Sequence, residues 1–257
     1  MTTTIYDVEA KLVCSDSRWS TFIAQEDGST SILYIDNTNF DKVANIETAV
    51  LLLAGDAELI AQWKRWWHED AQNKVPHPEL NLGPDRNIVL TIISKPTNQI
   101  LFDAGPKLTY YCYDEERNLA VFAGSGSKFA ADHWGPVRCA IRSVEEAAEN
   151  DPCTGGNVKF VEFDSNINNL SEPCYDKDEI LKNIMDKGMI MEINTLQNGQ
   201  NKIAIPLADH PNKDMIKNMV ATGQVHAGAP TGNSTPYEWT SERKDKLQQA
   251  IDTVFNF

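Results

Sequence analysis

The chain has no apolar run long enough to cross a membrane; its longest, Ala49 to Ala54, falls far short of the ~20 residues that a spanning helix needs. Its start, Met1-Thr2-Thr3-Thr4, has neither the basic stretch nor the apolar core of a secretory signal. Basic residues are scarce: 23 Lys plus Arg stand against 37 Asp plus Glu, a formal net charge of −14. Clustered Lys and Arg supply affinity for phosphate, so this balance argues against nucleic acid and against acidic or membrane-surface partners. Five cysteines, Cys14, Cys112, Cys139, Cys153 and Cys174, are odd in number and form no Cys-x-x-Cys pair. They read as reduced side chains of a cytoplasmic protein. His68, His77, His133, His210 and His226 show no zinc-binding spacing, and no metal or other cofactor is expected. Gly124-Ser125-Gly126 lacks the third glycine of a dinucleotide fingerprint and the Gly-Lys-Ser/Thr ending of a P-loop. Internal repeats and low-complexity tracts are absent as well.

What is present is a globular composition, 257 residues of which 41% are hydrophobic and 23% charged. Ile5 to Cys14 reads as a β-hairpin, Glu26 to Ser29 as a turn and Ile32 to Ile35 as a strand. Ala49 to Leu53 is a buried strand ending at Gly55-Asp56. From Asp56, a suitable N-cap, the spacing of Leu59, Ile60, Trp63, Trp66 and Trp67 predicts a helix. The tryptophans form its core face, or a subunit contact if Trp66 or Trp67 is exposed. Asn73 to Arg86 reads as a loop, followed by strands at Ile88 to Ser94, Ile100 to Asp103, Leu108 to Tyr113 and Leu119 to Phe122. A helix carrying Phe129, Ala130 and Trp134 comes next, then one over Val137 to Ala148 and a strand from Val158 to Phe163. Further on, helices are expected at Lys177 to Lys187, His210 to Ala221 and Ser241 to Phe255, with strands near Met189 to Ile193 and Lys202 to Ile205. Segregated strands and helices favour an α+β fold over a doubly wound parallel sheet.

Four features carry possible chemistry. Thr2 has a small side chain that permits removal of Met1, and a freed α-amine, titrating near ~7.7 to 8.0, can act as base for its own hydroxyl. The others are Ser15-Asp16-Ser17-Arg18, Lys42 in Phe40-Asp41-Lys42-Val43, and the pair Gly124-Ser125-Gly126-Ser127 and Asp151-Pro152-Cys153-Thr154-Gly155-Gly156. Singly, each reads as a turn, a surface lysine or Gly-Ser punctuation. In this order, together with Ala54-Gly55-Asp56-Ala57, the chain resembles the proteasome β-subunit family, including HslV-type peptidases, within the N-terminal nucleophile hydrolases. The stations are the Thr-Thr-Thr start, Asp-Ser-Arg, the lysine, an Ala-Gly-x-Ala turn, Gly-Ser-Gly-Ser before a helix and Asp-x-x-Thr-Gly-Gly.

The resemblance covers about residues 2 to 165 and implies a four-layer αββα sandwich there, with residues 166–257 as a C-terminal α/β extension packed on that core. It implies a threonine endopeptidase in which Thr2 attacks a peptide carbonyl, Lys42 lowers the pKa values at Thr2, and Asp16 holds Lys42. Ser125, Asp151 and Thr154 would orient the N-terminal amine and a water. The Gly55 N–H would serve the oxyanion, and Leu53 and Ala54 would contact substrate, favouring an apolar side chain. The implied partners are a peptide or unfolded protein, further copies of the chain in a homo-oligomer, and an ATPase unfoldase. Three departures stand beside it: Asp56 replaces a glycine, residues 166–257 have no counterpart, and while Met1 stays attached the Thr2 nitrogen is an amide. Two other readings stay open, a noncatalytic relative that binds a partner protein and an amidase acting on a small molecule.

Overall fold

The computed structural model describes residues 2–24, 28–73, 75–83, 86–193, 203–229 and 237–255. Met1, Glu26, Asp27 and Lys202, on which some of the expectations above fall, lie outside them. The chain is mixed α+β, and among the described residues the strands form two antiparallel sheets.

The first sheet grows from the N-terminus. Thr3, Ile5 and Tyr6 favour extended backbone, and β1 (Thr3–Asp7) makes a hairpin with β2 (Leu12–Ser15), Thr4 opposite Ser15. On its other side β1 pairs with β10 (Arg117–Gly124), which pairs with β9 (Lys107–Cys112), while β11 (Lys159–Glu162) closes on β2. Successive side chains of β1 point to opposite faces. Ile5, with Cys14 and Phe122, packs beneath α2 (Ser127–Val137) and α3 (Ala140–Asn150) through Ala130, Trp134, Val144 and Ala147. Tyr6, stacked on Phe163 at 5.7 Å, faces the second sheet, where Val13 and Val161 meet Val43, Val50, Leu52 and Ile93.

The second sheet runs in the order β13 (Ala204–Pro206), β12 (Met189–Glu192), β4 (Thr30–Ile35), β3 (Trp19–Ala24), β14 (Gly228–Ala229), β6 (Ala49–Asp56), β7 (Ile88–Ser94) and β8 (Gln99–Asp103). The short β5 (Val43–Asn45) also pairs with β6. Asp56 does cap α1 (Ala57–Arg65), its Oδ1 accepting from the Glu58 N–H at 2.9 Å and the Leu59 N–H at 3.3 Å. Leu59, Ile60 and Trp63 of α1 enter a large apolar cluster with Leu51, Leu53 and Leu90. Ile180 and Ile184 of α4 (Lys177–Lys187), Ile216 of α5 (Lys213–Ala221) and Leu247 and Ile251 of α6 (Ser241–Phe255) join the same cluster. The chain beyond 165 thus supplies strands to the second sheet as well as helices to its core.

Trp66 and Trp67 are buried against Phe255, so they are core and not an exposed subunit contact. They follow α1 in a π-helical turn, Trp66–Asp70. The helix expected from Val137 starts three residues later, because Val137 is the last residue of α2 and Arg138 takes a left-handed turn at φ 53°. The helix expected from His210 likewise begins at Lys213. Strands β3, β5 and β14 are additions to the expected set.

Lys64 on the inner face of α1 is 2% exposed, with its Nζ 4.5 Å from the Phe40 ring centre. Burial pushes its pKa down to about 8 against the pull of Asp41. Between that value and the ~10.4 of an unfolded lysine, the unfolded chain binds the extra proton, so stability rises with pH across the window by about 3 kcal/mol. Lys64→Met is expected to stabilise the protein at about pH 7 by ~1–3 kcal/mol and to flatten that rise. Denaturant melts at about pH 7 and about pH 10 check both effects; an unaltered pH profile would show that Lys64 is not the group that titrates.

Candidate active site

The start of β1 and the exit of β2 are held together by the Asp16 N–H, which donates to the Thr3 carbonyl at 3.1 Å. This one bond carries the ladder a residue past β2 and sets the Asp16 carboxylate beside Thr2. Lys42 comes from the other sheet, anchored at the start of β5 where its carbonyl accepts from the Leu53 N–H at 2.9 Å. The three side chains converge. Thr2 Oγ1 donates to Asp16 Oδ1 at 2.5 Å, and Lys42 Nζ donates to the same oxygen at 2.9 Å and to Thr2 Oγ1 at 3.0 Å. Thr2 and Asp16 are each 1% exposed and Lys42 is fully buried.

Asp16 is satisfied on both oxygens. Oδ1 also accepts from the Thr3 N–H at 3.0 Å, while Oδ2 accepts from the N–H groups of Arg18 and Gly155, each at 3.1 Å. Burial pulls the Lys42 pKa below that of an ordinary lysine, with the attraction of Asp16 working against it. The result is a hydroxyl held in a dry site between a carboxylate and a lysine whose ammonium gives up its proton more readily than usual.

A second polar cluster lies one residue along. Ser125 Oγ donates to Asp151 Oδ2, Thr154 Oγ1 donates to the same oxygen at 2.6 Å, and Thr3 Oγ1 lies 2.7 Å from Thr154 Oγ1. The structure therefore brings together Thr2, Asp16 and Lys42 in one group and Ser125, Asp151 and Thr154 in another, joined through Thr3. The role of Thr3 as link was not expected, although the run of three threonines contains it.

Arg18 is the other functional residue that sequence reasoning passed over. Its guanidinium clamps Asp36 with two bonds of 2.8 Å, donates to the Pro152 carbonyl at 2.7 Å and lies 3.8 Å over the Tyr34 ring. It thereby fixes the loop that carries Gly155 to Asp16. A Cβ at position 155 would sit 2.4 Å from the guanidinium, so a larger residue there would displace the Arg18 side chain. The Ser-Asp-Ser-Arg motif was the available signal for Arg18, whereas its partner Asp36 lies in none of the motifs.

Gly55 sits near the end of β6 with φ 123°, and a Cβ there would be 2.2 Å from the Asn87 carbonyl oxygen. N–H groups along a strand point alternately to its two edges. The Leu53 N–H points to β5 and the Asp56 N–H to Asn87, on the β7 side, so the Gly55 N–H points to the edge that bears Lys42. Leu53 packs into the α1 cluster, and Ala54 lines a narrow crevice with Thr4 and Ala123. Asp56, the departure beside Gly55, is engaged elsewhere: besides capping α1 it accepts from Arg86 Nε at 2.8 Å.

No protein-family model and no curated protein matches the chain.

Proposed function

We propose that the protein is a threonine-type peptidase of the N-terminal nucleophile kind, proteasome- or HslV-like, acting on peptides or unfolded protein once Met1 has been removed. The observation that carries this reading is the buried meeting of Thr2, Asp16 and Lys42, with Lys42 Nζ 3.0 Å from the Thr2 hydroxyl. A buried ion pair is costly and easily replaced by apolar side chains. One that holds a hydroxyl between its charges has a use in chemistry.

In this mechanism the free Thr2 amine takes the Oγ proton, with the positive field of Lys42 stabilising the alkoxide as it forms. Oγ bonds to the substrate carbonyl carbon, and the oxyanion receives the Gly55 N–H, a contact worth ~10² to 10³ in rate at comparable sites. The tetrahedral intermediate collapses as the protonated amine hands its proton to the leaving nitrogen, giving a Thr2 ester. Water, deprotonated by the same amine, hydrolyses the ester and restores the hydroxyl. Asp16 keeps Lys42 in place, and the Ser125–Asp151–Thr154 group holds β1 through Thr3. The reading carries with it a helix, sheet, sheet, helix layering, supported by the separate apolar clusters on the two outer faces and between the sheets.

The test is intact mass before and after a peptide epoxyketone, whose ring closure needs both an α-amine and the adjacent hydroxyl. Loss of Met1 and one adduct per chain are expected. The labelling rate should climb as pH goes from about 5 to about 8, because the amine acts in its neutral form. Met1-free, folded protein that takes no adduct, or a rate indifferent to pH, would count against the Thr2 amine as the base.

A further inference from the structure

The strand β14 is two residues long, yet it lies between two long neighbours. Gly228 is opposite Ser20 of β3 on one side and Asp56 of β6 on the other, and Ala229 is opposite Gly55. β3 and β6 are not paired with each other here; they stand one strand apart, and β14 fills the gap.

The register says which groups it meets. The Ala57 N–H donates to the Ala227 carbonyl at 3.2 Å. Hydrogen-bonded pairs in an antiparallel ladder recur at every second residue. The next such pair along β6 is therefore Gly55 with Ala229, the Gly55 N–H directed at the Ala229 carbonyl. This is the edge of Gly55 that faces Lys42, and the N–H that the peptidase reading assigns to the oxyanion. The fit is close: a Cβ on Gly228 would lie 3.0 Å from the Gly55 carbonyl oxygen, and Ala229 is fully buried.

We infer that β14 occupies the protein's own substrate cleft: Ala227-Gly228-Ala229 lies where an extended substrate backbone must lie, its Ala229 carbonyl taking the Gly55 N–H. The inference rests on the peptidase reading and adds two things to it. The substrate is bound as a single extended strand between β3 and β6, with a small residue at the place of Gly228. The folded chain holds itself closed, and substrate enters by exchanging with β14, since both need the same backbone donors and the same gap. An open edge of this kind is also a hazard for pairing with other chains, which β14 removes.

The experiment compares the parent with Gly228→Pro/Ala229→Pro, which removes two backbone donors from β14 and leaves Thr2, Asp16, Lys42 and Gly55 untouched. Both proteins, freed of Met1, are labelled with acetyl-Ala-Gly-Ala epoxyketone and followed by intact mass. The variant should label about tenfold faster or more, the factor for one or two net backbone hydrogen bonds. Hydrogen exchange on the unchanged protein provides a second reading that does not depend on the variant folding: exchange at 227–229 should speed up once the adduct forms. Equal labelling rates, with exchange at 227–229 unmoved by the adduct, would overturn the cleft inference and leave the peptidase reading standing. Absence of labelling in both folded, Met1-free proteins would overturn the peptidase reading, and this inference with it.

Discussion

Replacing Thr2 with Ala is expected to abolish epoxyketone labelling and to lower peptide hydrolysis by at least about 10⁴-fold, while the fold survives. The two effects separate because the hydroxyl makes few of the contacts that hold the site together. Without it, Asp16 Oδ1 keeps Lys42 Nζ at 2.9 Å and the Thr3 N–H at 3.0 Å. The stability cost is therefore that of two hydrogen bonds, to Asp16 and from Lys42, and one buried methyl, ~2–4 kcal/mol. Thr2→Ser retains the hydroxyl and loses only a buried methyl, so it should keep activity to within about tenfold of the parent while costing roughly 1 kcal/mol in stability. Peptide hydrolysis that continues unchanged in the alanine variant would remove Thr2 from the mechanism.

The second large effect is on stability. Asp16→Asn should lower the unfolding free energy by ~3–5 kcal/mol, because it leaves the Lys42 ammonium buried without its counter-charge. The Lys42 pKa, already drawn down by burial, then loses the attraction that opposed the shift. A lysine whose folded pKa lies below its unfolded value is a burden at low pH, and the burden lifts as pH rises toward the unfolded ~10.4. The loss in Asp16→Asn should accordingly shrink between about pH 7 and about pH 10. Adding Lys42→Met should recover most of it at every pH, since removing both charges costs far less than removing one. Urea melts of the parent, Asp16→Asn, Lys42→Met and the double variant close that cycle. A single variant as stable as the parent at about pH 7 would mean that Asp16 and Lys42 are not an ion pair in solution. Both variants should be inactive.

The sequence carried more of the site than of the scaffold around it. Thr2, Asp16, Lys42, Ser125, Asp151 and Thr154 were legible because each sits in a short motif and the motifs come in a recognisable order. The helix from Asp56 was legible because a cap and an apolar stripe are local signals. Strand β3 was missed although it is central to its sheet: Trp19 and Ile23 are buried, but Phe22 between them is 41% exposed, and no turn chemistry marks the start. The strands β5 and β14 are too short to have a period. Glycine and alanine are poor strand formers, so Gly228–Ala229 is extended only because β3 and β6 offer it partners from both sides. Long-range pairs were equally silent. Nothing near Arg18 in the sequence names Asp36 or Pro152, and nothing near Asp16 names the Gly155 N–H across 139 positions.

Thr2 is almost wholly out of solvent, and the strand that follows it is zipped to β2 on one side and β10 on the other. On the peptidase reading Met1 must come off, and the bond to be cut is the one that ends on this buried Thr2. We then expect trimming on the nascent chain, before residues 117–124 have been made and have paired with β1. On that reading competence is settled by the protein's history. Protein folded with Met1 attached is expected to stay unlabelled by the epoxyketone when an aminopeptidase is added afterwards, and to label only after unfolding, trimming and refolding.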